Sequence, residues 1–179
     1  MMNNQRVHSL VYIALFAALL TICAWITIPV TIPFTMQTLA VFLAPLVLGG
    51  KRGSLAVAVY LLLGAVGVPV FSGFHSGLGA LVGNTGGYLV GFLISALLMW
   101  ALERFWQRGY AALALAMAVS LLACYAFGTA WFVMISVRNG TAMTVGTALS
   151  LCVVPFIIPD AAKMFLAVTL AKRLKRFVH

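Results

Sequence analysis

From residue 9 to residue 171 the chain is a succession of apolar runs, separated by short stretches of glycine, proline or basic residues. The runs lie at about 9–30, 38–50, 54–71, 86–106, 110–136 and 143–171. Segments this apolar satisfy their backbone N–H and C=O groups in hydrocarbon only by forming helices. Hydrophobic residues make up 64% of the chain and charged residues 7%, and the mean hydropathy is +1.15. A soluble domain of that balance could not cover its surface with polar groups. The expected fold is an all-α membrane protein, a single domain over residues 1–179 with six transmembrane helices. Arg6 and His8 precede the first run in the manner of a signal peptide. That run is too long for such a segment and lacks a small-x-small cleavage site, so it reads as a retained helix.

Basic residues orient the chain. An even number of spans with both termini in the cytoplasm puts Arg6, Lys51, Arg52, Arg104, Arg108, Lys172, Arg173, Lys175 and Arg176 on the inner side, nine of the eleven Lys and Arg. Only Arg138 falls in an outer loop, and Lys163 lies within a run. The opposite orientation would place those nine outside, against the positive-inside rule. The formal net charge of +9 therefore points to the cytoplasmic membrane surface and not to nucleic acid.

The chain has two acidic residues, and one of them, Asp160, stands inside an apolar run, in PFIIPDAAK, with Lys163 three positions on. An ionisable side chain at membrane depth costs several kcal/mol unless it faces the protein interior and has a partner. Pro155 and Pro159 split this long segment into a short outer helix at about 143–153 and a final helix at about 158–176. Pro159 suits the first turn of the final helix, and Asp160 then meets its positive dipole end. Twelve residues separate Asp160 from Lys172, about 18 Å of helix, which sets the pair in the outer half of the membrane. Spacing i, i+3 puts both side chains on one face. A carboxylate that only accepts and an ammonium that only donates suit a ligand with N–H donors beside a carbonyl, such as a cyclic urea or imide.

Other residues have two readings each. Asn84 and Tyr88 are i, i+4 in GNTGGYLVG; a helix cap and a ligand contact both fit Asn84. Gly87 and Gly91 form a GxxxG suited to close helix packing. Thr35 and Gln37 lie in the proline-punctuated loop TIPVTIPFTMQT, either as plain loop residues or as a lid over an outward pocket. Arg138 is a surface charge or a docking point for an anionic ligand group. Tyr125 and Trp131 read as core or interface aromatics ahead of a pocket wall, and His75 as a solvated loop residue. Glu103 fits a surface network with Arg104 and Arg108. Pro45 within the short second run suggests irregular backbone there. Cys23, Cys124 and Cys152 read as buried packing residues, and Ala14 and Ala18 as a small-xxx-small face.

No motif supports catalysis. HExxH and GxSxG are absent, the two acids lie 57 positions apart, and no histidine sits on a helix where a Ser/His dyad would need one. Gly50-Lys51 fails as a phosphate loop because Pro45 replaces the first glycine and Arg52 follows the lysine. The chain has no visible ATP site, no metal motif and no cofactor of its own.

The strings IPVTIPFTMQTLAVFLAPLVLGGKRG, GNTGGYLVGF and PFIIPDAAK, in that order, resemble the BioY family, the biotin-capturing S components of energy-coupling factor transporters. The resemblance covers nearly the whole chain. It implies a six-helix bundle with cytoplasmic termini, in a prokaryotic cytoplasmic membrane, with an outward-facing biotin pocket. It implies ligand contacts at Asn84, Asp160 and Lys163, with Tyr88 and the Gln37 loop nearby; Lys163 and Arg138 are both candidates to meet the biotin carboxylate. It implies that Ala14 and Ala18 dock on a transmembrane coupling subunit, that two ATPase subunits supply the energy, and that the subunit topples within the membrane. An S component for another vitamin and a stand-alone ion-coupled carrier stand as alternatives.

Overall fold

The computed structural model describes residues 4–28 and 33–178 and is helical almost throughout. The α-helices among these residues are α1 Asn4–Trp25, α2 Gln37–Leu48, α3 Gly50–Ala65, α4 Leu78–Val82, α5 Gly86–Ala101, α6 Glu103–Trp106, α7 Tyr110–Arg138, α8 Val145–Cys152 and α9 Ile157–Val178. A two-residue antiparallel ladder, β1 Thr27–Ile28 and β2 Phe34–Thr35, ties the two ends of the first connection together. The remainder of that loop, positions 29–32, lies outside the described residues.

The six apolar runs correspond to α1, α2, α3, α5 with α6, α7, and α8 with α9. Arg6–Trp25, Tyr110–Arg138 and Val145–Arg176 are long and apolar enough to cross a membrane, and Gln37–Leu48 and Gly86–Ala101 are apolar but shorter. Large apolar side chains such as Leu15, Leu62, Leu122 and Phe165 face outward along these helices. An exterior as apolar as the interior belongs to a helix set in lipid.

Several boundaries differ from the sequence expectation, each for a local reason. The first helix stops at Trp25, short of about residue 30, because Thr27 and Ile28 pair with β2. The third starts at Gly50 and not near residue 54, because Glu103 Oε1 accepts the Gly50 N–H at 3.1 Å and caps its first turn. Glu103 is therefore a helix cap, and the expected network with Arg104 and Arg108 is not what holds it. The same helix ends at Ala65, before residue 71, where Gly67 takes a φ of +104° and Pro69 follows. The fourth breaks at Leu102 into α5 and α6. Pro45 does not interrupt α2, which runs continuously through it with all its residues buried. A side chain at Gly53 would collide with Pro45, so α3 crosses α2 at backbone contact there.

Before α9, Thr144 Oγ1 accepts the Thr147 N–H at 3.2 Å and starts α8. A single 3-10 turn at Val154–Phe156 then redirects the chain into α9. Pro159 sits in the first turn of α9, where its missing N–H has no intrahelical acceptor to lose.

α9 packs chiefly on α2, and α7 chiefly on α5, while α3 contacts α1, α2 and α5. At the end where α1 begins and α9 finishes, Met117 of α7 and Ala167 and Ala171 of α9 join one closed core with Phe42 and Met99. Toward the opposite end the same two helices separate around a cavity.

Glycine makes the α5–α7 contact close. A side chain at Gly87 would strike Trp131, one at Gly91 would strike Cys124, and one at Gly128 would strike the Tyr88 ring. This is the packing role expected of the GxxxG pair.

Candidate functional site

The cavity encloses about 460 Å3, within the range of ~300–1,000 Å3 that holds small organic ligands. Gln37 and Thr38 of α2, Tyr88, Leu89 and Phe92 of α5, and Leu121, Cys124 and Tyr125 of α7 form much of the wall. Asp160 and Lys163 of α9 complete it, with Phe156 ahead of them and Ser72, His75 and Ser76 from the connection after α3.

Asp160 and Lys163 are 2% and 5% exposed, so both are removed from bulk solvent. Lys163 Nζ donates to Asp160 Oδ1 at 2.7 Å, the sole ion pair among the described residues. Tyr125 donates its hydroxyl to Asp160 Oδ2 at 2.6 Å. Each carboxylate oxygen thus has one protein partner and keeps one lone pair for a ligand. The Lys163 ammonium also lies 4.0 Å over the Phe34 ring, and Phe34 stacks on Phe156 at 6.0 Å. The first connection is in this way fastened across the start of α9. The pair carries no net charge, and its unused donors and acceptors match a neutral group that both gives and takes hydrogen bonds.

Two further polar clusters support the wall. Gln37 Nε2 donates to Tyr60 Oη at 2.6 Å, while Thr35 Oγ1 donates to Gln37 Oε1 at 2.9 Å. Gln37 is therefore fixed by α3 and by β2, with one amide N–H to spare. The Tyr88 and Thr129 hydroxyls hydrogen-bond at 2.9 Å across the α5–α7 contact.

Of the residues singled out from sequence, Gln37, Tyr88, Asp160 and Lys163 meet at the cavity. Asn84 does not line it: its side chain is exposed and accepts from Asn139 Nδ2 at 3.5 Å. Nor does Asn84 cap α5, whose flanking residue is Thr85. Its neighbours Gly83 and Thr85 do reach the wall. Arg138 is exposed at the far end of α7, away from the lining. Ala14 and Ala18 are exposed on α1, in a separate shallow groove with Thr21, Trp25, Val59 and Leu63. Trp131 donates to Gly83 O at 3.0 Å and packs on Gly87 instead of entering the cavity.

Tyr125, read from sequence as core ahead of pocket wall, is a wall residue bonded to Asp160. Phe34 and Tyr60 carried no signal of their own. For Tyr125 a signal existed: Ser120, Cys124, Tyr125, Gly128, Thr129 and Ser136 make a small and polar stripe at helical spacing along α7.

The model of the BioY family matches residues 1–179. A biotin transporter BioY of Thermotoga maritima is 41% identical over 171 residues, covering 94% of this chain and 96% of that protein. A probable biotin transporter BioY of Pyrococcus horikoshii is 38% identical over 164 residues, covering 91% and 93%. Among solved structures, the S component for biotin from an ECF-type ABC transporter superposes with a TM-score of 0.84 at 26% identity, over 98% of this chain and 95% of that one.

Proposed function

The chain belongs to the BioY family, and from that premise we propose that it is the biotin-binding S component of an energy-coupling factor transporter. The observation that carries the reading is the buried Asp160–Lys163–Tyr125 constellation in a cavity of vitamin size. Biotin's ureido ring presents two N–H donors and one carbonyl. Asp160 accepts N–H from the ring, and Lys163 donates a free N–H toward the carbonyl. Tyr125 holds the carboxylate in place so that its free lone pairs converge on one position. The thiophane ring and valeryl chain fill the apolar wall of Leu89, Phe92, Leu121 and Phe156. A ligand lacking the ureido groups would leave the site's own polar groups unpaired, which makes such a site selective.

Asn84 joins the site on binding. Its 3.5 Å hydrogen bond to Asn139 is at the long limit and weak, and its two neighbours already line the cavity. Turning the Asn84 side chain away from Asn139 costs little and lets its Nδ2 donate to the ligand carbonyl.

In the membrane, α1, α2, α3, α5, α7 and α9 are the six spans, with both termini in the cytoplasm of a prokaryote. The basic end supports this. Lys172 lies 4.4 Å over the Tyr110 ring and Lys175 5.7 Å over Trp106, aromatic and basic anchors of the kind found at an inner interface. The exposed Ala14 and Ala18 allow close approach by a helix of the transmembrane coupling subunit. Two ATPase subunits supply the energy, and the S component uses no cofactor.

Equilibrium binding of biotin to the purified protein tests the reading. Saturable binding, not displaced by riboflavin or thiamine, is expected. Absence of binding at micromolar biotin would remove the proposal.

A further inference from the structure

We propose that His75, with Ser76 beside it, is the subsite for the ligand's carboxylate at the mouth of the cavity. This inference rests on the biotin reading and extends it to the other end of the molecule.

Burial orders the wall. Asp160 and Lys163 are 2% and 5% exposed, whereas His75 is exposed and Ser76 half-buried, though all four line one cavity. The ion pair is thus a buried part of the wall and His75 an exposed part of it. A ureido ring seated on Asp160 sends the valeryl chain outward and brings its carboxylate to that exposed part.

Charge points to the same place. Lys163 and His75 are the two lining residues that can carry positive charge. Lys163 is already engaged by Asp160 at 2.7 Å and lies against Phe34 at 4.0 Å, beside the place the ureido ring takes. Arg138 is not on the wall. Among the described residues no hydrogen bond engages the His75 imidazole, which donates an N–H in either protonation state.

The loop that carries His75 is held in an uncommon shape. Gly73 and Phe74 take φ of +69° and +61°, and a left-handed phenylalanine persists only where its surroundings enforce it. Here they do. The Phe74 ring packs on Trp25 at 5.0 Å, Trp25 Nε1 donates to Pro69 O at 3.1 Å, and the Phe71 N–H donates to His75 O at 3.1 Å. Ser72 Oγ donates to Thr27 Oγ1 at 3.0 Å and ties the turn to the first connection. The imidazole lies over Gly73, where an added Cβ would come 3.3 Å from its Cδ2.

The test compares biotin with biotin methyl ester on the full-length protein in nanodiscs, for wild type, His75→Ala and His75→Gln. Wild type should prefer biotin over the ester about tenfold, the worth of a hydrogen bond to a charged group. His75→Ala should lose most of that preference while its affinity for the ester stays within about twofold, and His75→Gln, which keeps a donor, should retain part of it. An equal preference in all three proteins, or an equal loss of both ligands in His75→Ala, overturns the subsite while leaving biotin binding standing. No biotin binding by wild type overturns the functional reading and this inference with it.

Discussion

The Tyr125 hydroxyl donates to Asp160 Oδ2 at 2.6 Å across 35 residues of chain, joining α7 to α9. α7 packs chiefly on α5 and α9 chiefly on α2, so this bond links two helix pairs that part around the cavity. Lys163 holds the other carboxylate oxygen at 2.7 Å from within α9. The carboxylate is thus gripped from two helices, and its remaining lone pairs are aimed and not merely present.

Tyr125→Phe removes that aim with little change of shape. Biotin affinity should fall about tenfold, as expected for one hydrogen bond to a charged group. Calorimetric titration checks the affinity. A melting temperature that drops with affinity unchanged would make Tyr125 structural only.

Asp160→Asn should reduce affinity by at least tenfold and also lower thermal stability, because it strands the buried Lys163 ammonium without its partner. The double variant Asp160→Asn/Lys163→Met removes the stranded charge. It should recover stability but not binding. Thermal melts with paired titrations separate the two effects.

Phe34→Ala takes away the ring beneath Lys163 and its stacking on Phe156. A cation–π contact in a dry site contributes about 1–2 kcal/mol, so affinity should fall roughly fivefold to thirtyfold. Because Phe34 fastens the first connection across the start of α9, stopped-flow kinetics should show the loss mainly in faster dissociation.

Asn84→Ala and Asn139→Ala distinguish a ligand contact from a surface pair. Asn84→Ala should weaken biotin binding by about fivefold to tenfold, and Asn139→Ala should leave it within about twofold. Equal effects of the two would assign Asn84 to loop structure alone.

Gly87→Ala should destabilise the protein by about 1–3 kcal/mol, since the added methyl meets Trp131 at the α5–α7 contact. Gly79→Ala, where a side chain would meet open space, is the control and should melt as wild type does. Equal melts for the two would mean that α5 and α7 adjust freely.

Much of this was legible because it is local. The Asp160–Lys163 pair needs only i, i+3 spacing on a helix, and the start of that helix needs only Pro155 and Pro159. Gly87 and Gly91 announced close packing without naming the partner helix. Less was legible where a residue's role depends on what crosses it. Glu103 has Arg104 beside it and Arg108 five positions on, yet caps α3 through Gly50, 53 residues away. Tyr125 shares a small and polar stripe with Thr129 and Gly128, but the stripe does not say which residue faces α9. His75 read as a solvated loop residue, and solvent exposure alone does not reveal that the exposed ring also forms a cavity wall.

A helical membrane protein with one buried ion pair at a helix start follows from residue order, because lipid forces backbone groups into helices and hydrocarbon forbids an unpaired charge. Which side chains meet that pair depends on how the helices pack. Glycine contacts set how closely α7 approaches α5. In the packed bundle Tyr125 reaches Asp160, while Asn84 and Arg138 lie off the cavity wall. Such contacts join residues distant in the chain, and no local pattern encodes which of them will touch.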